Sequence, residues 1–406
     1  MDQRGTTEVN VGATDLVGAT TEFEPDVMDL LVETLRRAVK SELPVVGTDT
    51  LLGALVMGGT DAGAAIATGI RAAGALSGVI SGRAGLGWVS DDEARNVPVD
   101  VDAEADQAEV DAAWREAHWR FGLRPRGSAS ESRPVLPGMS GALRACLLFA
   151  LRSARAEGTI SVRCRHVARA LLDLPDTRAR EALLLRRLDA ATALADLDAS
   201  TPAEAEGVES RGVTLLRRAG TLGRSGNRLT RALTSWTSGT AVNGSPVLFA
   251  VNVEAVRQAV RCGRTAAEPV DLLLGTLALE RALSVAGRSL PASLSDVNTA
   301  SALLRRHGVR QVSLVASASA IPSTSAPDGD RVRLSAAADR ITAVAQLSAA
   351  QHGSPTVGTV HLLTALLDES ATDADAGVGG AVVRLLTAGQ VDVAALRTEL
   401  RLRLGA

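Results

Sequence analysis

Few residues in this 406-residue chain are of the types that perform nucleophilic, acid–base or metal chemistry, and their spacing is poor for all three. The histidines His118, His166, His307, His352 and His361 are scattered, and Cys146, Cys164 and Cys262 show no C-x-x-C spacing. Only Cys164 and His166 stand near each other, and a thiol and an imidazole at one helix start rarely aim properly at each other. No G-x-S-x-G elbow and no H-E-x-x-H helix occurs. A P-loop needs a lysine after its last glycine, whereas the single lysine, Lys40, follows Val39. The sequence therefore predicts no catalytic residue, no metal site and no cofactor.

The remaining candidates are helix starts. Gly47-Thr48-Asp49 and Gly358-Thr359 each place a hydroxyl beside backbone N–H groups that a first helical turn leaves without partners. These starts must be positioned by a larger unit, which is clearest from Leu334 to Leu367. There Leu334, Ala338, Ile341 and Ala345 mark one face of a helix, Gly353 and Pro355 end it, and Leu362, Leu363, Leu366 and Leu367 mark a second helix. Placing His361 over Asp271, His166 and Thr50 lays this unit on three earlier segments without a gap. Eight residues earlier stand Gly353, Gly263, Gly158 and, as the exception, Glu42; twelve earlier stand Ala349, Ala259, Ala154 and Ala38. The chain is read as four copies of one helical repeat.

Val357-Gly358-Thr359-Val360-His361-Leu362-Leu363-Thr364-Ala365-Leu366-Leu367 and Val46-Gly47-Thr48-Asp49-Thr50-Leu51-Leu52-Gly53-Ala54-Leu55 resemble the repeat of the Clp ATPase amino-terminal domain. Leu184 to Asp189, Leu303 to Val309 and Leu385 to Asp392 are similar to the later helices of that repeat. The resemblance implies an all-α fold of two tandem Clp amino-terminal-like domains, each a pseudo-symmetric pair of roughly four-helix repeats, without the ATPase motor. In Clp domains of the Gram-positive type, an acidic residue after Gly-Thr helps hold the guanidinium of phosphoarginine, while the helix start suits the phosphate. That position holds Asp49, Arg165, Val270 and Val360 here. Valine accepts no hydrogen bond and Arg165 repels a guanidinium, so the resemblance implies one ligand-binding position, Gly47, Thr48 and Asp49. Cys164, Arg165, His166, Val270, Asp271, Thr359, Val360 and His361 are its repeat equivalents. The alternative is that Thr48 and Asp49 merely cap their helix, and that His166 and His361 do likewise.

At 406 residues two domains are the natural division. The expected limits are 22–198 for repeats one and two, with an acidic insertion at 91–116; 199–245 for an Arg-rich linker; and 246–406 for repeats three and four, with a tether at 313–330. The acidic run contains Asp91, Asp92, Asp106, Asp111 and Glu116 and leads into a helix around Trp114 and Trp119. It reads either as a solvated segment or as a docking surface for a basic partner. Between Arg211 and Val253 there is no acid, while Arg211, Arg217, Arg218, Arg224, Arg228 and Arg231 fall within it. That segment is a solvated basic helix and loop, or a contact for the acidic run or another anionic partner.

Aromatic residues are 2% of the chain and tyrosine is absent, so the core must be built from Leu, Val and Ala. A net charge of -3 argues against a general nucleic-acid binder. Residues 1 to 22 lack a secretion signal, and the Gly/Ala-rich stretch from Leu51 to Ile80 is interrupted by Asp61 and Arg71, so neither a membrane span nor export is expected. Unpaired cysteines fit a reducing cytoplasm. The expected function is a non-enzymatic adaptor, decoy or substrate-binding accessory of a Clp chaperone-protease. Its partners would be a Clp ATPase, its substrates or a phosphoarginine-marked protein. The alternatives are a helical scaffold unrelated to proteolysis and, most remotely, a hydrolase.

Overall fold

The structure, a computed structural model, describes residues 18–83, 87–92, 103–123, 136–199, 209–222, 245–320, 332–369 and 380–405. It divides into two compact units, one within Thr21–Val208 and one within Glu209–Ala406 that also takes in residues 18–20. Both are mostly helical.

The first unit runs β1 (Glu22–Phe23), α1 (Pro25–Lys40), β2 (Val45–Val46), α2 (Thr48–Met57), α3 (Asp61–Ile66), α4 (Ile70–Gly82), α5 (Ala103–Gly122), β3 (Gly138–Met139), α6 (Gly141–Ala156), β4 (Ser161–Val162), α7 (Cys164–Asp173), α8 (Arg178–Leu185) and α9 (Ala190–Ala199). Helix α1 begins on Pro25, whose missing N–H costs nothing in a first turn, with Asp26 beside it to suit the helix dipole. It buries Val27, Leu30, Leu31, Thr34, Leu35 and Ala38 on one side. The strands are two residues long and their pairing is reciprocal. β1, ahead of α1, runs parallel to β4, ahead of α7; β3, ahead of α6, runs parallel to β2, ahead of α2. Each half of the unit thus lends the strand before its first helix to the strand before the other half's second helix.

The second unit contains α10 (Arg211–Arg218), α11 (Pro246–Arg261), α12 (Pro269–Val285), the short α13 (Ala292–Ser295) with a 3-10 turn at Asp296–Asn298, α14 (Ala300–Arg306), α15 (Gln311–Ser319), α16 (Ala336–Gln351), α17 (Thr359–Asp368), α18 (Ala381–Ala388) and α19 (Val393–Leu404). Its single described bridge joins Ala267, ahead of α12, to Leu334, ahead of α16. This follows the same rule as the first unit.

Helices α1, α6, α11 and α16 end alike. The carbonyls of Ala38, Ala154, Ala259 and Ala349 accept N–H bonds from Leu43 (2.9 Å), Thr159 (3.0 Å), Arg264 (2.8 Å) and Ser354 (2.9 Å), the six-to-one closure of a Schellman cap. All four alanines are buried. The closure needs a left-handed residue one position before each donor, and Glu42, Gly158, Gly263 and Gly353 have φ of 53°, 72°, 75° and 63°. Glu42 therefore adopts the glycine conformation despite its Cβ. A second series recurs at the ends of α8, α14 and α18, where Leu188, Val309 and Val391 donate back to Leu183, Leu304 and Leu386.

Three expectations are corrected. The acidic run is solvated only in part where it is described: Asp91 and Glu104 are exposed, but Asp92, Asp106 and Glu116 are buried, and Asp106, Asp111 and Glu116 pair with Arg155, Arg144 and Arg120. Part of the Arg-rich linker is folded, because α10 buries Val213 and Leu216 against the core of the second unit and the buried Glu254 carboxylate accepts from Ser210 (2.7 Å) and Gly212 (3.3 Å). The tether from 313 begins as helix, with Leu314 and Ala318 buried in α15; residues 321–331 lie outside the described set, as do 223–244. Among the described residues no helix is long and apolar enough to cross a membrane.

Candidate functional site

Thr48 opens α2 and is fully buried. Its N–H donates to Asp92 Oδ2 at 2.6 Å and its hydroxyl donates to the same oxygen at 2.8 Å. The hydroxyl also accepts from the Ala179 N–H at 3.1 Å, and Asp92 Oδ1 accepts from the Arg178 N–H at 2.9 Å. One buried carboxylate therefore closes the starts of α2 and α8 together, where the helix dipoles favour an anion. The donors that the sequence offers to a phosphate are engaged by the chain's own Asp92. The hydroxyl does not cap its own first turn; it ties α2 to α8.

Gly47 permits this closeness. Its φ of -100° suits any residue, but a Cβ there would collide with Asp49 Oδ1 and stand 2.9 Å from Asp92 Oδ2 and 3.4 Å from Arg178 Nη1. Asp49 is 3% exposed, and its Oδ1 has no hydrogen-bond partner among the described residues. Burial first, and the Asp92 charge second, push its carboxyl up to about 6, with the Arg178 guanidinium pulling the other way. A carboxylate, a carboxyl and a guanidinium of the chain itself thus crowd the place where an outside phosphate and guanidinium would have to enter.

The equivalent positions are used differently. Arg165 is partly exposed and contacts Glu157, while Val270 and Val360 are buried. His166, Asp271 and His361 act alike, since their side chains accept from the backbone N–H of Arg163 (2.9 Å), Glu268 (2.9 Å) and Gly358 (3.1 Å), three residues back. Burial, followed by the Arg165 charge, lowers His166 to about 4, which keeps Nδ1 free to accept. Burial also lowers His361. Asp271 further holds the buried Arg264, whose guanidinium reaches the Ala318 carbonyl.

Cys164 is buried, and its N–H and that of the Arg163 guanidinium both bond Asp26. Burial, then Asp26, pushes its thiol well above the usual range, the opposite of nucleophile activation. At the fourth start, Thr359 repeats Thr48 with a neutral partner. Its N–H donates to Asn298 Oδ1 at 3.0 Å and its hydroxyl accepts from the Ala300 N–H, which opens α14, at 3.3 Å. Sequence reasoning does not find Asp92, Arg178 or Asn298 as parts of these starts. Among the described residues no cluster of His, Cys, Asp and Glu could hold a metal ion.

No family model, no curated protein and no solved structure matches this chain.

Proposed function

We propose that this chain is a non-enzymatic accessory of a Clp chaperone-protease, an adaptor, decoy or substrate-binding protein built from two Clp amino-terminal-like modules in the cytoplasm. The observation that carries this reading is the recurrence of one closure at the ends of α1, α6, α11 and α16, on the alanine column that the sequence repeat defines. The reciprocal strand exchange supports pairing of the copies within a module. The lack of an activated thiol at Cys164 and the capping role of His166 favour binding over catalysis.

The test is a reconstituted Clp unfoldase and protease degrading an unfolded reporter with and without the full chain. A dose-dependent change in degradation rate, at unchanged ATPase rate of a chain-free control, supports an accessory. A rate that does not respond to a large molar excess contradicts it.

The second reading, a helical scaffold unrelated to proteolysis, is favoured by one observation, the occupation of the Thr48 start by Asp92. A phosphoarginine peptide separates the two at this site: binding that Asp49→Asn weakens supports an inherited pocket, and absence of binding supports the scaffold.

A further inference from the structure

The second unit contains a groove of about 530 Å³, a volume in the range of about 300–1,000 Å³ that small ligands fill. Its floor is aliphatic: Val247, Leu279 and Leu283 are nearly inaccessible yet line open space, and Leu290 continues the wall outward. Core side chains normally fill such a volume themselves, because unfilled space forfeits dispersion contacts. Three charged side chains line the groove. Arg288 lines the groove with its side chain 48% exposed, and its contact to Glu209 is long, at 3.8 Å. Arg305 lines it too and is held by Glu280, the one carboxylate among the described residues of the wall, whereas Glu209 lies outside the wall and is held more closely by Arg217 (2.6 Å), which leaves Arg288 the more available of the two guanidiniums. Thr359 and Asn298 border the same groove, and here the helix start is closed by a neutral amide rather than by a carboxylate. Among the described residues nothing negative corresponds to Asp92 at this end.

We propose that this groove binds an aliphatic carboxylate, with the hydrocarbon against Leu279, Leu283 and Leu290 and the carboxylate on Arg288. The chemistry is shared by the free carboxyl end of a polypeptide that finishes in branched aliphatic residues and by a medium-chain fatty acid. Burial of the hydrocarbon supplies the attraction, and the guanidinium selects the charged end. The site is separate from Thr48 and does not require a Clp motor as partner.

The experiment titrates the full chain with a fluorescent hexapeptide ending in two leucines with a free α-carboxylate, with its carboxamide twin, and with decanoate. Saturable binding of the acid peptide, at least about tenfold weaker binding of the amide, and a loss of about tenfold in Arg288→Gln are expected. Leu283→Trp should fill the groove and abolish binding; should that variant fail to fold, the exposed Arg288→Gln substitution carries the test alone. Binding by the peptide alone assigns the source to polypeptide ends, and competition by decanoate extends it to free acids; both support the site. Equal affinity for acid and amide, unchanged affinity in Arg288→Gln, or no binding of the acid peptide and decanoate up to ~1 mM overturns it.

Discussion

Thr48 and Asp92, 44 residues apart in the chain, are joined twice through one carboxylate oxygen, at 2.6 Å from the amide and 2.8 Å from the hydroxyl. Because the other oxygen holds the Arg178 N–H, Asp92 fastens α2 to α8. Asp92→Ala leaves buried donors unpaired and should destabilise the first unit by about 2–4 kcal/mol, read as a lower urea midpoint. Asp92→Asn, which keeps an acceptor, should lose less. A change under about 0.5 kcal/mol in Asp92→Ala would mean the carboxylate does not hold the two helices.

Asp49 gives a pH signature of opposite sign to an ordinary paired carboxylate. Its carboxyl is raised from 3.8 to about 6, so the folded state binds more protons than the unfolded state between those values. Its contribution to stability is most favourable below pH 3.8 and is lost as pH rises through 6. Asp49→Asn should therefore gain stability relative to the natural chain as pH rises from 4 to 7. Denaturation of both proteins at several pH values checks this, and a constant difference across the range would contradict it.

His166 acts in the other direction. Its folded value, about 4, lies below the ordinary 6.5, so its contribution is fully present above 6.5 and is lost as pH falls toward 4. His166→Gln should still accept from the Arg163 N–H, since glutamine suits this reach-back position, and should keep neutral-pH stability within about 1 kcal/mol. The variant should resist acid better between pH 6.5 and 4. Acid unfolding that tracks the natural chain throughout would show that His166 titrates normally.

Glu42 occupies the left-handed position that glycine fills at the other three helix ends. It is exposed, and removing the Cβ strain in Glu42→Gly should raise stability by about 1 kcal/mol, seen as a higher melting temperature. Gly158→Glu and Gly353→Glu should lower it by a similar amount.

The helices and the like endings of α1, α6, α11 and α16 were legible because they rest on local signals: Pro25 at a first turn, apolar positions at helical spacing, and glycines eight residues before His166 and His361. Glu42 broke the glycine column without breaking the turn, since the closure of Leu43 onto the Ala38 carbonyl over-determines the backbone. The partner of Thr48 was not legible. An aspartate in a charge run looks solvated, and only the folded chain brings Asp92 to α2. The strands were missed because two residues carry no alternation. The docking of α10 and the helix α15 were not legible, because each buries only a few side chains in a polar sequence. The groove under Arg288 was invisible, since it is assembled from α11, α12, α14 and the turn between them.

The most direct measurement of the central claim is equilibrium binding of the full chain to a purified Clp unfoldase, followed by sedimentation or calorimetry with ATP analogue present. The Clp-accessory account predicts a saturable complex of defined stoichiometry with a Kd of about 10 μM or tighter. No detectable complex at ~100 μM of both proteins would contradict it.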